Sequence, residues 1–176
     1  ICCIVGFEGG AGIEEMAQQD TKEIFDLVAL AQRIFEDYQQ QAADQNRSLT
    51  FDTTLPNLKI SGDTVQLREA VSNLVSNAIK YTRDGGKISL IVTKVEDYAV
   101  LKVEDNGYGI PENQQERMFQ PFYRARTEET IDIEGTGLGL HLVKNIINRH
   151  NGTMIFDSVH GVGSTFGFSL PTLVRE

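Results

Sequence analysis

The chain has 176 residues, which suits one compact domain with a short additional element. Apolar residues make up 40% of the sequence and charged residues 23%, a globular composition that can bury a core. Its net charge of −9 disfavours non-specific contact with nucleic acid and with an anionic membrane surface. No run of about 18 apolar residues is present that could span a bilayer.

Residues 1–20 give little sign of a fold of their own. Residues 1–12 are apolar and then glycine-rich, so we interpret 1–20 as a linker or a severed end. The sequence begins with Ile and shows no signal-peptide layout, and we therefore expect the chain to be part of a longer protein. The two cysteines, Cys2 and Cys3, match neither a disulfide framework nor a zinc pattern and fit a reducing compartment.

The next residues predict a leading helix ahead of a mixed domain. Apolar residues at three- and four-residue steps predict a helix from Thr21 to about Asp44, so 21–46 is interpreted as a leading helix and 47–176 as a domain. In the domain we expect helices over about 64–81, 112–118 and 139–150, and strands over about 49–53, 87–94, 99–105, 154–158 and 164–170. Pro56 and Gly62 bracket a segment that we read as a short connection. This order predicts an α+β fold: a two-layer α/β sandwich whose mixed, mostly antiparallel sheet carries three main helices on one face.

The helix over 64–81 carries an unusual polar stripe. Glu69, Asn73, Asn77 and Tyr81 lie four residues apart and so share one face, with Lys80 beside it. Asn has a low propensity for the interior of a helix. Its side-chain carbonyl oxygen suits a hard cation such as Mg²⁺. The stripe is either a ligand-binding surface or a solvated face with incidental Asn.

A carboxylate ends the strand over 99–105. Asp105 continues an apolar row on one face of that strand, and a buried carboxylate needs hydrogen-bond donors. An exocyclic amino group of a nucleobase could supply one, and Gly107 and Gly109 would let the backbone approach a ligand. The alternative is an Asx turn in which Asp105 bonds its own neighbours.

A glycine-rich turn opens the last helix. Gly135, Gly137 and Gly139 would let a phosphate group reach free N–H groups at a helix start, although a flexible hinge is the alternative. The turn follows no strand and lacks a Lys-Ser/Thr ending, so neither a dinucleotide fold nor a Walker A loop is indicated. Residues 124–134 have no period and predict a lid, from which Arg124 and Arg126 could reach phosphates or pair with nearby acids. The three histidines show no metal-ligand spacing and are interpreted as structural or exposed.

These segments together resemble the ATP-binding catalytic domain of sensor histidine kinases, within the GHKL ATPase superfamily. The resemblance covers about residues 48–171. It is carried by five motifs in order, which resemble the family's N box at 69–82, G1 box at 105–111, F box at 116–124, G2 box at 135–140 and final glycine motif at 163–166.

The resemblance implies a role for each matching residue. Asn77 would coordinate Mg²⁺, Asn73 would lie against the phosphates or the metal shell, and Lys80 would contact phosphate. Asp105 would accept from the adenine amino group, and Phe119 and Phe122 would anchor the lid. The other residues that the resemblance places at the nucleotide are Tyr81, Gly107, Gly109, Ile110, Arg124, Gly135, Thr136, Gly137, Leu138, Gly139, Leu140 and Thr165.

Two differences between this sequence and the pattern of related proteins bear on the activity. Relatives that hydrolyse ATP, such as gyrase, have a Glu four residues before the metal-binding Asn, whereas this chain has Asn73. An amide cannot take a proton from water, so rapid hydrolysis is disfavoured. None of the three histidines is followed by an acidic residue, the context of the family's phosphoacceptor, so the acceptor is expected on another domain.

The resemblance implies a histidine kinase catalytic domain that binds ATP and Mg²⁺ and phosphorylates a His on a helical dimerisation domain. A response regulator receiver domain would be the second partner. We expect a cytoplasmic monomer, free or as the cytoplasmic part of a membrane-bound sensor, in which this domain contacts neither nucleic acid nor membrane. Two alternatives stay open: a nucleotide-binding regulatory or docking module, and a serine kinase of the anti-sigma type.

Overall fold

The computed structural model describes residues 21–173, so the interpretation of 1–20 as a linker lies outside the described residues. The elements in chain order are β1 (Glu23–Asp26), α1 (Leu27–Asp44), β2 (Ser48–Asp52), β3 (Lys59–Gly62), α2 (Thr64–Tyr81), β4 (Lys87–Val95), β5 (Tyr98–Asp105), α3 (Glu112–Gln115), α4 (Gly139–Arg149), β6 (Thr153–Val159) and β7 (Gly163–Pro171).

The main sheet has five strands in the order β2-β4-β5-β7-β6. Strands β2 and β4 are parallel, and the other neighbours are antiparallel. Helices α1, α2 and α4 contribute to one core against this sheet. The predicted α+β class, with a mostly antiparallel sheet and helices on one face, is confirmed.

The start of the leading helix was predicted wrongly. Glu23–Asp26 form β1, which pairs antiparallel with β3 in a separate two-stranded sheet. The Asp26 carboxylate accepts the N–H of Val28 at 3.0 Å and that of Leu58 at 2.8 Å, so it caps α1 and fixes the helix start at Leu27. Ile24, expected on the apolar helix face, is therefore 66% exposed on β1.

Strand β3 also corrects the reading of the segment between Pro56 and Gly62 as a plain connection. Its four residues are too few to show a reliable alternation in the sequence, and their partner β1 lies far away along the chain. The short helix expected over 112–118 stops at Gln115, and α4 begins at Gly139, the last residue of the glycine-rich turn.

Helix α2 forms as predicted. Asp63 caps it by accepting the Gln66 N–H at 3.0 Å, and Tyr81 is its last residue. The apolar side of the helix lies fully in the core: Leu67, Val71, Leu74, Val75, Ala78 and Ile79. Leu27, Ala31 and Ile34 of α1 belong to the same core, while the domain boundary at residue 46 stays a prediction. Over residues 21–173, no helix has the length and apolar content to cross a membrane.

Candidate functional site

One cleft gathers most of the residues singled out in the sequence. It lies between α2, the end of β5, the start of α4 and the segment 118–137. The predicted residues that line it are Asn73, Asn77, Lys80, Tyr81, Asp105, Gly109, Ile110, Arg124, Gly135, Thr136, Gly137, Gly139 and Leu140.

The polar stripe of α2 faces this cleft. The Nδ2 of Asn73 donates to the Glu69 carbonyl at 2.9 Å, which fixes the amide and leaves Oδ1 free of that bond. A Cβ on Gly139 would lie 3.0 Å from Oδ1 of Asn73 and 3.8 Å from Nδ2 of Asn77. Both amides therefore meet the first residue of α4, where helix N–H groups lack intrahelical partners. Asn73, Asn77 and Tyr81 of the stripe therefore form a wall of the cleft, whereas Glu69 is exposed outside it.

Asp105, the last residue of β5, also lines the cleft. Its Oδ1 accepts the Gly107 N–H at 2.8 Å, so the Asx turn that the sequence left as an alternative is present as well. Burial raises the pKa of Asp105 to about 6, and hydrogen bonds from the backbone of Gly107 and Ser164 oppose that rise. A carboxylate in this state would gain from another donor.

The two glycines after Asp105 have different roles. Gly109 lines the cleft with φ of +64°, and a Cβ there would lie 2.0 Å from the Val159 carbonyl oxygen. Gly107 does not line the cleft, which departs from the prediction. A Cβ on it would lie 2.2 Å from the Tyr81 carbonyl oxygen, so it permits the close contact between α2 and the turn.

Two more predicted residues are absent from the cleft wall. Thr165 does not line the cleft, but its neighbours Ser164 and Phe166 do, because side chains alternate between the two faces of β7. The Ser164 hydroxyl lies 2.8 Å from that of Ser158. Leu138 is exposed outside the cleft. Ser164 pairs with Asp105 in register, and the residues of β7 by themselves do not indicate that pairing.

Two cationic side chains converge on the glycine-rich turn. A Cβ on Gly135 would lie 3.6 Å from both the Lys80 Nζ and the Arg124 Nε. Arg124 donates from Nη2 to the Ile133 carbonyl, whereas its buried Nε has no hydrogen-bond partner among the described residues. An unpaired buried N–H beside a second cation fits an anionic ligand.

The comparisons with known proteins agree with this geometry. The family model described as "Histidine kinase-, DNA gyrase B-, and HSP90-like ATPase" matches residues 62–174. The chain belongs to this ATPase family. It is 33% identical over 162 residues to the sensor histidine kinase RppB of Synechocystis sp., covering 90% of this chain and 36% of RppB. It is 38% identical over 138 residues to the phosphate regulon sensor protein PhoR of Pseudomonas aeruginosa, covering 78% of this chain and 31% of PhoR.

A solved structure supports the same membership. The catalytic domain of histidine kinase ThkA superposes with a TM-score of 0.75 at 28% identity, covering 86% of this chain and 95% of that one. The chain spans about a third of the length of the curated relatives it matches.

The side chains available in this ATPase domain restrict which metal ion it could bind and through which ligands. Among residues 21–173, no group of three or more His, Cys, Asp or Glu side chains could hold a metal ion. Asn73 and Asn77 place amide oxygens on the α2 wall, where Ser76 and Tyr81 add hydroxyl groups. The amide oxygens are the stronger neutral donors for a hard cation. They suit Mg²⁺, which takes few protein ligands and is commonly held together with substrate phosphates.

The F box of this domain places its two phenylalanines differently. Phe119 packs against Phe156 and Phe166, with ring centroids 5.8 and 6.3 Å apart, so it anchors the segment as expected. Phe122 is 74% exposed with φ of +64° and does not anchor the lid, which corrects the prediction. Its N–H donates to the Gly137 carbonyl at 2.9 Å, so its backbone is tied to the glycine-rich turn.

The lid, residues 124–134, supplies cleft residues that the sequence did not indicate. Ala125, Thr127 and Thr130 line the cleft, while Arg126 is exposed outside it. Their spacing follows neither a helical nor a strand period, so no pattern could have found them. The other lining residues missed are Ser76, Ala78, Met118 and Tyr123. None of the three histidines is among the lining residues.

Proposed function

We propose that the chain is the ATP-binding catalytic domain of a sensor histidine kinase. The observation that carries this proposal is the set of polar groups that the cleft brings together. The carboxylate Asp105 is bonded to the turn after β5, while two amides and two cations lie beside the glycine-rich turn that opens α4. An adenine amino group is a hydrogen-bond donor and a triphosphate is a polyanion, so this arrangement suits ATP in one orientation.

In that orientation the adenine base of ATP would lie against the part of the cleft that β5, β6 and β7 form. Asp105 would accept from the adenine amino group, with Gly109 and Ile110 beside the ring. Ser164 supports this wall through its hydroxyl contact with Ser158. The Ile110 N–H is already bonded to Ser158 at 2.9 Å, which fixes the apolar side chain against the pocket.

The phosphate end would be formed by α2, Arg124 and the turn before α4. Asn77 would hold Mg²⁺, with Asn73 beside it, and the ion would neutralise charge on the phosphates. Lys80 and Arg124 would add fixed positive charge, which a chain of net charge −9 has to supply locally. The glycine residues at 135–139 would allow phosphate oxygens to approach the helix start.

The reaction would be transfer of the γ-phosphoryl group to a histidine on a separate helical domain. A neutral imidazole nitrogen attacks the γ-phosphorus, the bond from that phosphorus to the bridging oxygen of the β-phosphate breaks, and ADP leaves. The chain's contribution is positioning and charge stabilisation by Lys80, Arg124 and the turn. Asn73 stands where hydrolytic relatives have a general base, so the design favours transfer to the partner over attack by water.

Partners and location follow from the same proposal. A solved complex joins ThkA to the response regulator protein TrrA, and ThkA superposes on this chain with a TM-score of 0.71 at 25% identity in that complex. We infer that the whole protein phosphorylates a helical dimerisation domain and passes the group to a receiver domain in the cytoplasm. The domain alone would be a monomer, because dimerisation is assigned to the helical domain.

The test combines nucleotide binding with transfer. Calorimetry should detect ATP binding that requires Mg²⁺, and γ-labelled ATP should label a histidine-kinase dimerisation domain supplied as a separate protein. Asn77→Ala should abolish both signals. Asn148→Ala, an exposed asparagine on α4, is the matched control and should leave both unchanged.

The outcomes separate the candidates. Acid-labile label that depends on Asn77 supports the kinase, because phosphohistidine is lost in acid. Acid-stable label would indicate a serine kinase instead. Binding with no transfer would favour a regulatory nucleotide-binding module, and transfer unaffected by Asn77→Ala would sink the assignment of this cleft.

A further inference from the structure

The side chain of Gln114 makes a double hydrogen bond to the backbone of the lid. Its Oε1 accepts the Arg126 N–H at 2.9 Å, and its Nε2 donates to the Arg126 carbonyl at 3.1 Å. A carboxamide places an acceptor and a donor side by side on one planar group, which this contact requires. The arrangement gives Arg126 the two bonds that a neighbouring β-strand would give it.

The helix that carries Gln114 is itself fixed to the sheet by the next residue. The Nε2 of Gln115 donates to the Ile110 carbonyl at 2.9 Å and to the Ser158 carbonyl at 3.0 Å. Ser158 is buried in β6, and Ile110 lines the cleft. Although α3 has only four residues, it is therefore tied to the sheet on one side and to the lid on the other.

The bonds of Gln114 bear on the cleft through the neighbours of Arg126. Ala125 and Thr127 flank it in the chain, and both line the cleft. Thr127 is held in turn to Thr130, whose Oγ1 accepts the Thr127 N–H at 3.0 Å. Gln114 does not line the cleft, so its effect on a ligand would be transmitted through the lid backbone.

We propose that Gln114 is a positioning residue that holds the lid over the cleft before the nucleotide arrives. This inference rests on the proposed function. A loop already fixed in its bound position loses less conformational freedom on binding, which raises affinity. Such a gain is expected mainly in a slower dissociation of the nucleotide.

The lid position can be tested without any nucleotide, because trypsin cleaves after Arg124 and Arg126. Replacing Gln114 with Ala removes both bonds to Arg126 and the longer contact at 3.4 Å from the Tyr123 hydroxyl. Cleavage in the lid should become about fivefold faster or more, since opening limits cleavage. Gln114→Glu keeps an acceptor and loses the donor, so it should fall between the wild type and Gln114→Ala. Asn113→Ala, exposed on the same helix, should be cleaved at the wild-type rate, and all variants should share the thermal midpoint of the wild type.

The role toward nucleotide is read from the dissociation rate of a fluorescent ATP analogue in the presence of Mg²⁺. Gln114→Ala should bind it and release it about fivefold faster, in proportion to its faster cleavage. This inference alone would be overturned if the wild type binds the analogue but Gln114→Ala behaves like the wild type. That means lid cleavage, or release of the nucleotide, at the wild-type rate. A wild type that fails to bind the analogue or ATP would overturn the proposed function, and the nucleotide role of Gln114 with it.

Discussion

The imidazole of His150 joins the end of α4 to the start of α2. Its Nε2 accepts the Asp63 N–H at 2.9 Å, while its Nδ1 donates to the Ile146 carbonyl at 2.7 Å, which is the pattern of a neutral ring. The residue is 7% exposed. The link lies at the opposite ends of the two helices from Asn77 and Gly139, so it fixes their relative position from outside the cleft.

Replacing His150 with Ala should destabilise the fold. The Asp63 N–H would lose its partner, and a space would open against Gly62, whose missing Cβ leaves room for the ring. We expect the free energy of unfolding to fall by about 1–3 kcal/mol, measured by chemical denaturation. His160→Ala changes an exposed histidine and should have little effect. Equal effects of the two substitutions would contradict the structural role.

The raised pKa of Asp105 should make the free energy of unfolding depend on pH. Its pKa is about 6 in the folded chain and close to 3.9 when unfolded, so between these values the folded state retains a proton that the unfolded state has released. The contribution of Asp105 to stability is therefore highest below about pH 4 and falls as the pH rises to about 6, by up to about 3 kcal/mol. The measurement is denaturation of the wild type and Asp105→Asn across roughly pH 3–8, a range that brackets both pKa values. Parallel curves for the two proteins would contradict it.

The same substitution should weaken adenine nucleotide binding. If the oxygen of the introduced Asn still accepts the hydrogen bond from the Gly107 N–H, the NH₂ group of that Asn faces the adenine amino group. Two hydrogen-bond donors then face each other. We expect the affinity for ATP to fall by about tenfold or more at pH 8, which corresponds to about 1.4 kcal/mol. Calorimetry with ATP and Mg²⁺ measures it. A variant that binds as tightly as the wild type would remove Asp105 from the adenine site.

Gly161, in the turn between β6 and β7, and Gly163, the first residue of β7, provide a matched pair. A Cβ on Gly163 would lie 2.0 Å from the Asp105 carbonyl oxygen, whereas one on Gly161 would meet nothing within 4 Å, although both have positive φ. Gly161→Ala should cost about 1 kcal/mol for the backbone conformation alone. Gly163→Ala should cost more and also weaken ATP binding, because it displaces Asp105. Denaturation and calorimetry on the two variants test this, and similar losses in both would contradict it.

The two F-box phenylalanines form a second pair. Phe119→Ala removes contacts with Phe156 and Phe166, and we expect a loss of about 2–4 kcal/mol in the free energy of unfolding. Phe122→Ala removes a side chain that is 74% exposed and should change it by less than about 0.5 kcal/mol. Thermal or chemical unfolding decides, and a larger loss for Phe122→Ala would contradict the packing described.

Local chemistry in the sequence was sufficient for α2 and for much of the cleft. The apolar period and the Asp63 cap fix the helix and its buried face, so the positions of Asn73 and Asn77 on one stripe follow directly. The alternation in β5 likewise places Asp105 after a buried row. The family's motif order adds the glycine-rich turn. These features depend on residues close together in the chain, and the sequence alone determined them.

Only the tertiary structure decided the features that depend on distant partners. Strand β1 forms because β3 pairs with it, and Asp26 ends that strand by capping α1, although a helical period runs through the whole segment. Ser164 takes the place expected of Thr165 because the register with β5 sets which face of β7 meets the cleft. The lid has no period, and Gln114 bonds to it at Arg126, twelve residues away along the chain. Pairing, register and side-chain bonds across long loops carry no local signature, and for that physical reason they could not be predicted from the residues involved.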